Sequence, residues 1–379
     1  MDIILLGSAL AFFITYMSIP VIIRVSEWKN LYDEPDERKL HQSPVPSLGG
    51  LGIFAAIMLT VLLSVSFAQA PELQYFVASA LVIFFLGLKD DIVVISPLKK
   101  LIGQLIAAFM LMYNGHIKIV SMHGFMGVYD LPESISMVFT VLTIIVIVNS
   151  FNLIDGVDGL AGSLGLMTTM CFGLYFYNVQ EFPYALLAFI TAGSLAGFLI
   201  FNHSPARIFM GDTGSLLIGL VNAVLVIHFI SVAGNPGSAL QLGSAPAIGF
   251  AILMVPLFDT LRVFSIRILS RRSPFSPDRN HIHHLLLDLG LSHSAVTYIC
   301  VTANLLFIAF AYLARDLGPT VLLFSMIIAS ASTTGLLIMT LNRRRKSAEQ
   351  PDFIEGQHTI NTQRLLSFRK KKMVLPEDN

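Results

Sequence analysis

YFVASALVIFFLGLKDDIVVISPLKK, residues Tyr75–Lys100, sets an apolar run of helix length against two adjacent carboxylates, Asp90 and Asp91, and two adjacent lysines, Lys99 and Lys100. The run reads as a membrane span with a charged mouth. Charge is scarce in the chain as a whole. Only 13% of the 379 residues are Asp, Glu, Lys or Arg, 55% are hydrophobic, and the mean hydropathy is +0.74. A soluble domain carries roughly a quarter charged residues. The balance excludes a soluble globular protein and predicts an all-α, polytopic integral membrane protein, because a segment in hydrocarbon must close its backbone hydrogen bonds internally.

Apolar runs bounded by charged or Gly/Pro clusters give eleven spans, at about 3–23, 49–68, 72–88, 99–114, 134–150, 160–178, 184–201, 213–233, 245–265, 295–314 and 319–341. They make one membrane domain, 1–341, followed by a polar, basic tail, 342–379, expected to lie solvated near anionic headgroups. The N-terminus has an acid where a signal peptide needs a basic region, so it is read as a retained first span. Alternating the loops between the two sides puts 22 of the 24 lysines and arginines on one face and leaves only Lys118 and Arg315 on the other. The loaded face is therefore expected to be cytoplasmic and the N-terminus outside. No fixed-period repeat or inverted duplication is visible. Net charge is zero and no nucleic-acid partner is expected. Cys171 and Cys300 lie in apolar runs and read as packing residues.

Four segments of the loaded face carry the chemistry: KDD at 89–91, NLIDGVDG at 152–159, NHSPARIFMGDTGS at 202–215 and SPFSPDRNHIHH at 273–284. Asp90, Asp91, Asp155, Asp158 and Asp212 all sit at helix ends on one side, where carboxylates are costly unless paired, hydrated or metal-bound. Converging carboxylates with asparagine and hydroxyls are oxygen ligands, which suit Mg²⁺ or Mn²⁺. Glycines at 156, 159, 211 and 214 allow close backbone approach and can turn N–H groups toward phosphate. Arg279, His281, His283 and His284 crowd six residues and read as holders of phosphate oxygens. His-x-His also reads as a zinc pattern, though no cysteine lies nearby. In DEPDERKLHQSPVPSLGG, Asp33–Gly50, Arg38, Lys39 and His41 precede the start of the next helix, a place for an anion as much as for ordinary positive-inside residues. His116, His123 and Lys118 fall in an outer loop, and His228, alone in an apolar helix, reads as bonded to a neighbouring helix.

With these motifs in order and suitably spaced from about Asp33 to His284, the sequence resembles the polyprenyl-phosphate N-acetylhexosamine-1-phosphate transferases. The DRNHIHH form resembles the undecaprenyl-phosphate N-acetylglucosamine-1-phosphate transferases. The phospho-MurNAc-pentapeptide transferases carry three consecutive histidines there. The resemblance implies an enzyme of the bacterial plasma (inner) membrane that moves a sugar phosphate from a UDP-N-acetylhexosamine to undecaprenyl or another polyprenyl phosphate, releases UMP and starts cell-envelope polysaccharide synthesis. It implies Mg²⁺, with Asp212 as a metal ligand and Asp90 and Asp91 handling metal and activating the lipid phosphate. It places Asn152, Asp155 and Asp158 in nucleotide-sugar binding and catalysis, Asn202 near the diphosphate, and Lys100, His281, His283 and His284 on phosphate. Membrane lipids are the surroundings, and the Gly-rich spans from Gly49 and Gly211 can pack within one chain or across a homodimer. A cation-coupled transporter, the rival class, calls for ionisable residues near the span midplanes, and these lie at span ends.

Overall fold

The structure is a computed structural model and describes residues 2–29, 45–273 and 280–348. Every one of the eleven expected spans is helical. In chain order the helices are α1 (Asp2–Lys29), α2 (Gly49–Ser64), α3 (Glu72–Ile92), α4 (Pro97–Phe109), α5 (Glu133–Ile154), α6 (Leu160–Asn178), α7 (Phe182–Asn202), α8 (Gly211–Ala233), α9 (Ala245–Ile252), α10 (Met254–Leu269), α11 (Ile282–Asp288), α12 (His293–Leu313) and α13 (Pro319–Ala348). Among the elements not foreseen are α11 and a small antiparallel hairpin of β1 (Ser121–Phe125) and β2 (Val128–Asp130). The chain forms two compact units, Met1–Ser330 and Ala331–Asn379. The described part of the second is the C-terminal run of α13, which carries on to Ala348, past the expected start of the tail.

Among the described residues, seven helices are long and apolar enough to cross a membrane, or eight if the bent α9–α10 pair is counted as one span. The chain is a multi-pass membrane protein. α2 and α4, at 16 and 13 residues, are shorter than hydropathy had drawn them. At 1.5 Å per residue, α2 is roughly 24 Å long against about 30 Å of hydrocarbon.

The bundle centres on α8, most of whose side chains are buried and which packs on α2, α3, α5 and α6. Gly50 of α2 lies directly against the backbone at Gly214, where a Cβ would stand 2.2 Å from the Gly214 nitrogen. The Gly49 and Gly211 spans thus meet inside one chain. His228 of α8 behaves as expected, its ring stacked on Tyr184 at 3.4 Å between centroids and its Nε2 3.3 Å from Glu181 Oε2.

The span expected at 245–265 is broken at Leu253, where α9 and α10 meet at 87°. Pro256 has no N–H with which to continue α9 into α10. The backbone groups freed by the break are taken by one buried side chain of α12. Asn304 Oδ1 accepts from Val255 N at 2.8 Å, and its Nδ2 donates to Ile252 O at 2.9 Å. Such a break is tolerated in a membrane only where protein re-satisfies the backbone. It turns α10 away from α9 and lets it pack on α5.

Candidate active site

The charged ends of α3, α4, α5 and α8 meet. The first N–H groups of a helix have no partners of their own and the helix dipole favours an anion there. At α8 that anion is Asp91, supplied by α3. Its Oδ1 accepts from Asp212 N at 2.7 Å, and its Oδ2 accepts from Thr213 N at 3.0 Å and Thr213 Oγ1 at 2.5 Å. Asp91 thus spends both oxygens on fixing where α8 begins.

Its neighbour Asp90 does something else. Asp90 Oδ1 accepts from Ile95 N at 2.7 Å, which closes the turn into α4, and its Oδ2 lies 2.8 Å from Lys100 Nζ. Lys100 also forms an ion pair with Asp212 Oδ2. The other oxygen of Asp212 accepts from Asn152 Nδ2 at 2.6 Å, and the same Nδ2 lies 3.0 Å from Ser215 Oγ. Lys100, Asp90 and Asp212 keep 18%, 13% and 26% of their side-chain surface exposed, so the cluster is reachable but largely shielded from water. Charges so placed interact more strongly than at an open surface. Beside them a cleft of about 140 Å³ is lined by Lys100, Gln104, Asn149, Asn152, Phe264 and Arg267, among others.

Asp155 caps the end of α5. It accepts no hydrogen bond from the described residues, and its carboxyl is held well above the usual range, first by burial and then by the negative charges of Asp212, Asp91 and Asp158. The next residue, Gly156, carries the ring of His283: a Cβ at 156 would stand 2.6 Å from His283 Nε2. His283 is buried, and burial with the neighbouring His284 brings its pKa down to about 3, so the ring is neutral at ordinary pH. Gly156→Ala is expected to displace His283 and cut turnover at least about tenfold, since overpacking a closed contact costs about 1–3 kcal/mol. Turnover kinetics on the purified variant check this, and an unchanged rate rejects the contact as functional.

Asp158 and Asn202 are brought close to the cluster but sit behind it. Asp158 Oδ2 accepts from Ala206 N at 3.1 Å, its Oδ1 lies 3.3 Å from His293 Nδ1, and its carbonyl accepts from Thr297 Oγ1 at 2.9 Å. Asn202 Oδ1 accepts from Gly159 N at 3.0 Å while its Nδ2 donates to Ile208 O at 2.8 Å. Both tie the 155–159 loop to the 203–210 loop and so align Asp155 with Asp212. Asn202 and Asp158 Oδ2 meet backbone and Asp158 Oδ1 faces the His293 ring, so both side chains hold the loops together. Arg38, His41 and Arg279 lie outside the described residues.

The histidine segment has a buried anchor that hydropathy concealed. Asp259, inside the apolar run of α10 and 1% exposed, accepts from Ile282 N at 2.9 Å and Arg262 Nη2 at 2.8 Å through Oδ1, and its Oδ2 lies 2.8 Å from His281 Nδ1. On the far side of the ring, His281 Nε2 lies 3.5 Å from Arg267 Nη2, and Arg267, 3% exposed, lines the cleft with Lys100 and Asn152. The rings of His281 and His283 stack at 5.6 Å, with His284 4.3 Å beyond His283. Arg267 had counted only toward topology. The available signal for both was an acid and a basic residue eight positions apart within or just past an otherwise apolar run.

Residues 73–230 match the model of glycosyl transferase family 4. A decaprenyl-phosphate N-acetylglucosaminephosphotransferase of Mycobacterium leprae is 30% identical over 312 residues, covering 76% of this chain and 77% of that relative. The chain belongs to glycosyl transferase family 4. An undecaprenyl-phosphate alpha-N-acetylglucosaminyl 1-phosphate transferase of Haemophilus influenzae is 31% identical over 314 residues, 78% of this chain and 86% of its own. A probable undecaprenyl-phosphate N-acetylglucosaminyl 1-phosphate transferase of Bacillus subtilis is 30% identical over 295 residues, 75% of this chain and 78% of its own. The matched family 4 region holds the α3, α4, α5 and α8 cluster, and the Asp259–His281 arrangement lies beyond it.

Proposed function

We propose that this family 4 chain transfers N-acetylglucosamine 1-phosphate from UDP-N-acetylglucosamine to undecaprenyl phosphate in the bacterial plasma membrane, with the charged end facing the cytoplasm. The observation that carries the proposal is the convergence of Asp90, Lys100, Asn152 and Asp212 from four helices on one point beside a cleft, in a chain whose relatives are named for this transfer. Two anions must meet there. An oxygen of the lipid phosphate attacks the sugar-bearing phosphorus, and the bond from that phosphorus to UMP breaks with its electron pair leaving on UMP.

The residues present fit Mg²⁺. Among the described residues no three His, Cys, Asp or Glu side chains form a complete cage. Mg²⁺ does not need one, since it keeps several waters and takes one or two carboxylates plus substrate phosphates. Asp212 and Asp90 already converge on one cation, the Lys100 ammonium, and would hold the metal as Lys100 turns to a phosphate oxygen. When bound, Mg²⁺ supplies charge neutralisation on the diphosphate. Asn152 orients Asp212, and Asp91 fixes the start of α8. Asp155, a carboxyl that accepts no donor from the described residues, takes the proton of any singly ionised lipid phosphate. That contribution is modest, because the second pKa of such a phosphate is about 6.

The test is UMP release from UDP-N-acetylglucosamine by purified protein in detergent with undecaprenyl phosphate and Mg²⁺, each omitted in turn. Release is expected only with all three, and a panel of UDP-sugars then ranks the donor. Release without lipid acceptor, or none from any UDP-N-acetylhexosamine, rejects the proposal.

A further inference from the structure

We propose that Asp259 is a positioning residue that fixes His281 as the Nδ1–H tautomer, so that the lone pair on Nε2 aims the Arg267 guanidinium into the cleft. The inference rests on the transferase reading above and concerns a part of the site to which that reading gives no role.

The Ile282 backbone and Arg262 donate to the Asp259 carboxylate, and His281 Nδ1 lies 2.8 Å from its other oxygen. Paired with the Arg262 guanidinium, the carboxylate is ionised and only accepts, so the proton between it and His281 sits on Nδ1. The opposite nitrogen faces Arg267, and a guanidinium only donates. Nε2 therefore presents its lone pair, and the ring bridges a carboxylate on one side and a cation on the other. The 3.5 Å separation is at the outer edge of a hydrogen bond, as is common before substrate tightens a site. Asp259 itself is buried and does not line the cleft, so it touches no substrate. Arg267 does line it, facing the Lys100 and Asn152 walls, where a planar fork of donors suits a phosphate oxygen pair. Through Ile282 N the same carboxylate also anchors the first turn of α11, which carries His283 and His284.

Asp259→Asn discriminates this from simple packing because the amide has one allowed orientation. Ile282 N and Arg262 both donate to the same oxygen, so that position keeps the amide oxygen and the NH₂ faces His281. His281 is then driven to the Nε2–H tautomer, which meets Arg267 donor to donor. Using UMP release, kcat/KM for UDP-N-acetylglucosamine is expected to fall about 10- to 100-fold in Asp259→Asn. The double variant Asp259→Asn with Arg267→Ala is expected to be no worse than Arg267→Ala alone, the mark of residues acting in series. His281→Asn, whose amide can still donate to Asp259 but is too short to put an acceptor where Nε2 stood, is expected to show the same loss, and it decides the matter if Asp259→Asn does not fold. Multiplicative losses in the double variant, or wild-type kcat/KM in a folded Asp259→Asn or His281→Asn protein, overturn the proposal. The tautomer is read independently of activity from ¹⁵N-histidine spectra, with His281 assigned by the signal lost in His281→Asn. Nδ1 protonation is expected, and Nε2 protonation overturns the proposal. Wild-type protein that releases no UMP condemns the transferase reading instead, and the spectrum still decides the role of Asp259.

Discussion

Asp212→Asn abolishes lipid-dependent UMP release while the protein remains folded in detergent; this is the largest single effect expected at the site. Asp212 is the residue on which Lys100, Asn152 and, through the backbone, Asp91 all converge. An asparagine keeps the shape and the oxygen that accepts from Asn152, so α8 should stay in place. What disappears is the negative charge that pairs with Lys100 and would hold Mg²⁺. Removing one preorganised electrostatic contact typically costs about 10²–10³ in rate, and losing the metal-holding carboxylate is expected to exceed that. The checks are UMP release at saturating donor and acceptor and the thermal midpoint of the same preparation. Turnover within about tenfold of wild type at an unchanged midpoint removes Asp212 from the metal assignment.

Gly211→Ala is the second. Gly211 has φ +69°, a left-handed conformation that costs an ordinary residue about 1–2 kcal/mol. A Cβ there would also stand 2.1 Å from the Ser47 carbonyl oxygen and 2.8 Å from both oxygens of Asp91. The first obstacle is backbone and cannot rotate away. Relief requires the start of α8 to move, which breaks the bonds from Asp212 N and Thr213 to Asp91 and carries Asp212 off Lys100. The expected result is poor yield of monodisperse protein, or folded protein with turnover reduced more than about 100-fold, as misplacement of about 1 Å can cost that much. Gly127→Ala is the matched control. It has φ +77° and nothing within 4 Å of the added methyl, so it isolates the conformational cost and should leave turnover unchanged. Equal behaviour of the two variants would mean that strain, not collision, is the constraint.

The helices and the charged end were legible because both rest on composition. Apolar runs must be helical in hydrocarbon, and the acids, asparagines and histidines stand at run ends where a linear reading sees them. The division of labour between Asp90 and Asp91 was not legible. Adjacent residues on a helix point about 100° apart, and only packing decides which of the two meets Lys100 and which meets the start of α8. Asp158 and Asn202 carried the right chemistry at the right end, yet the backbone that Asp158 Oδ2 and Asn202 Oδ1 tie down lies 48 and 43 residues away in sequence. Asp259 was hidden by its apolar neighbours, since nothing local distinguishes a buried anchor from a tolerated acid. The break at Leu253 was hidden for a related reason: its remedy, Asn304, lies 49 residues from Val255.

α12 had offered no motif, yet it holds three of these ties. Asn304 seals the broken backbone above α10, Thr297 takes the Asp158 carbonyl, and His293 meets the Asp158 carboxylate. A portable block of this fold therefore has to carry α12 together with α9, α10 and the loop that holds Asp158. Anyone building hybrids between family 4 members, or trimming the chain after the histidine segment at 281–284, would be cutting through the brace of the candidate site rather than beyond it.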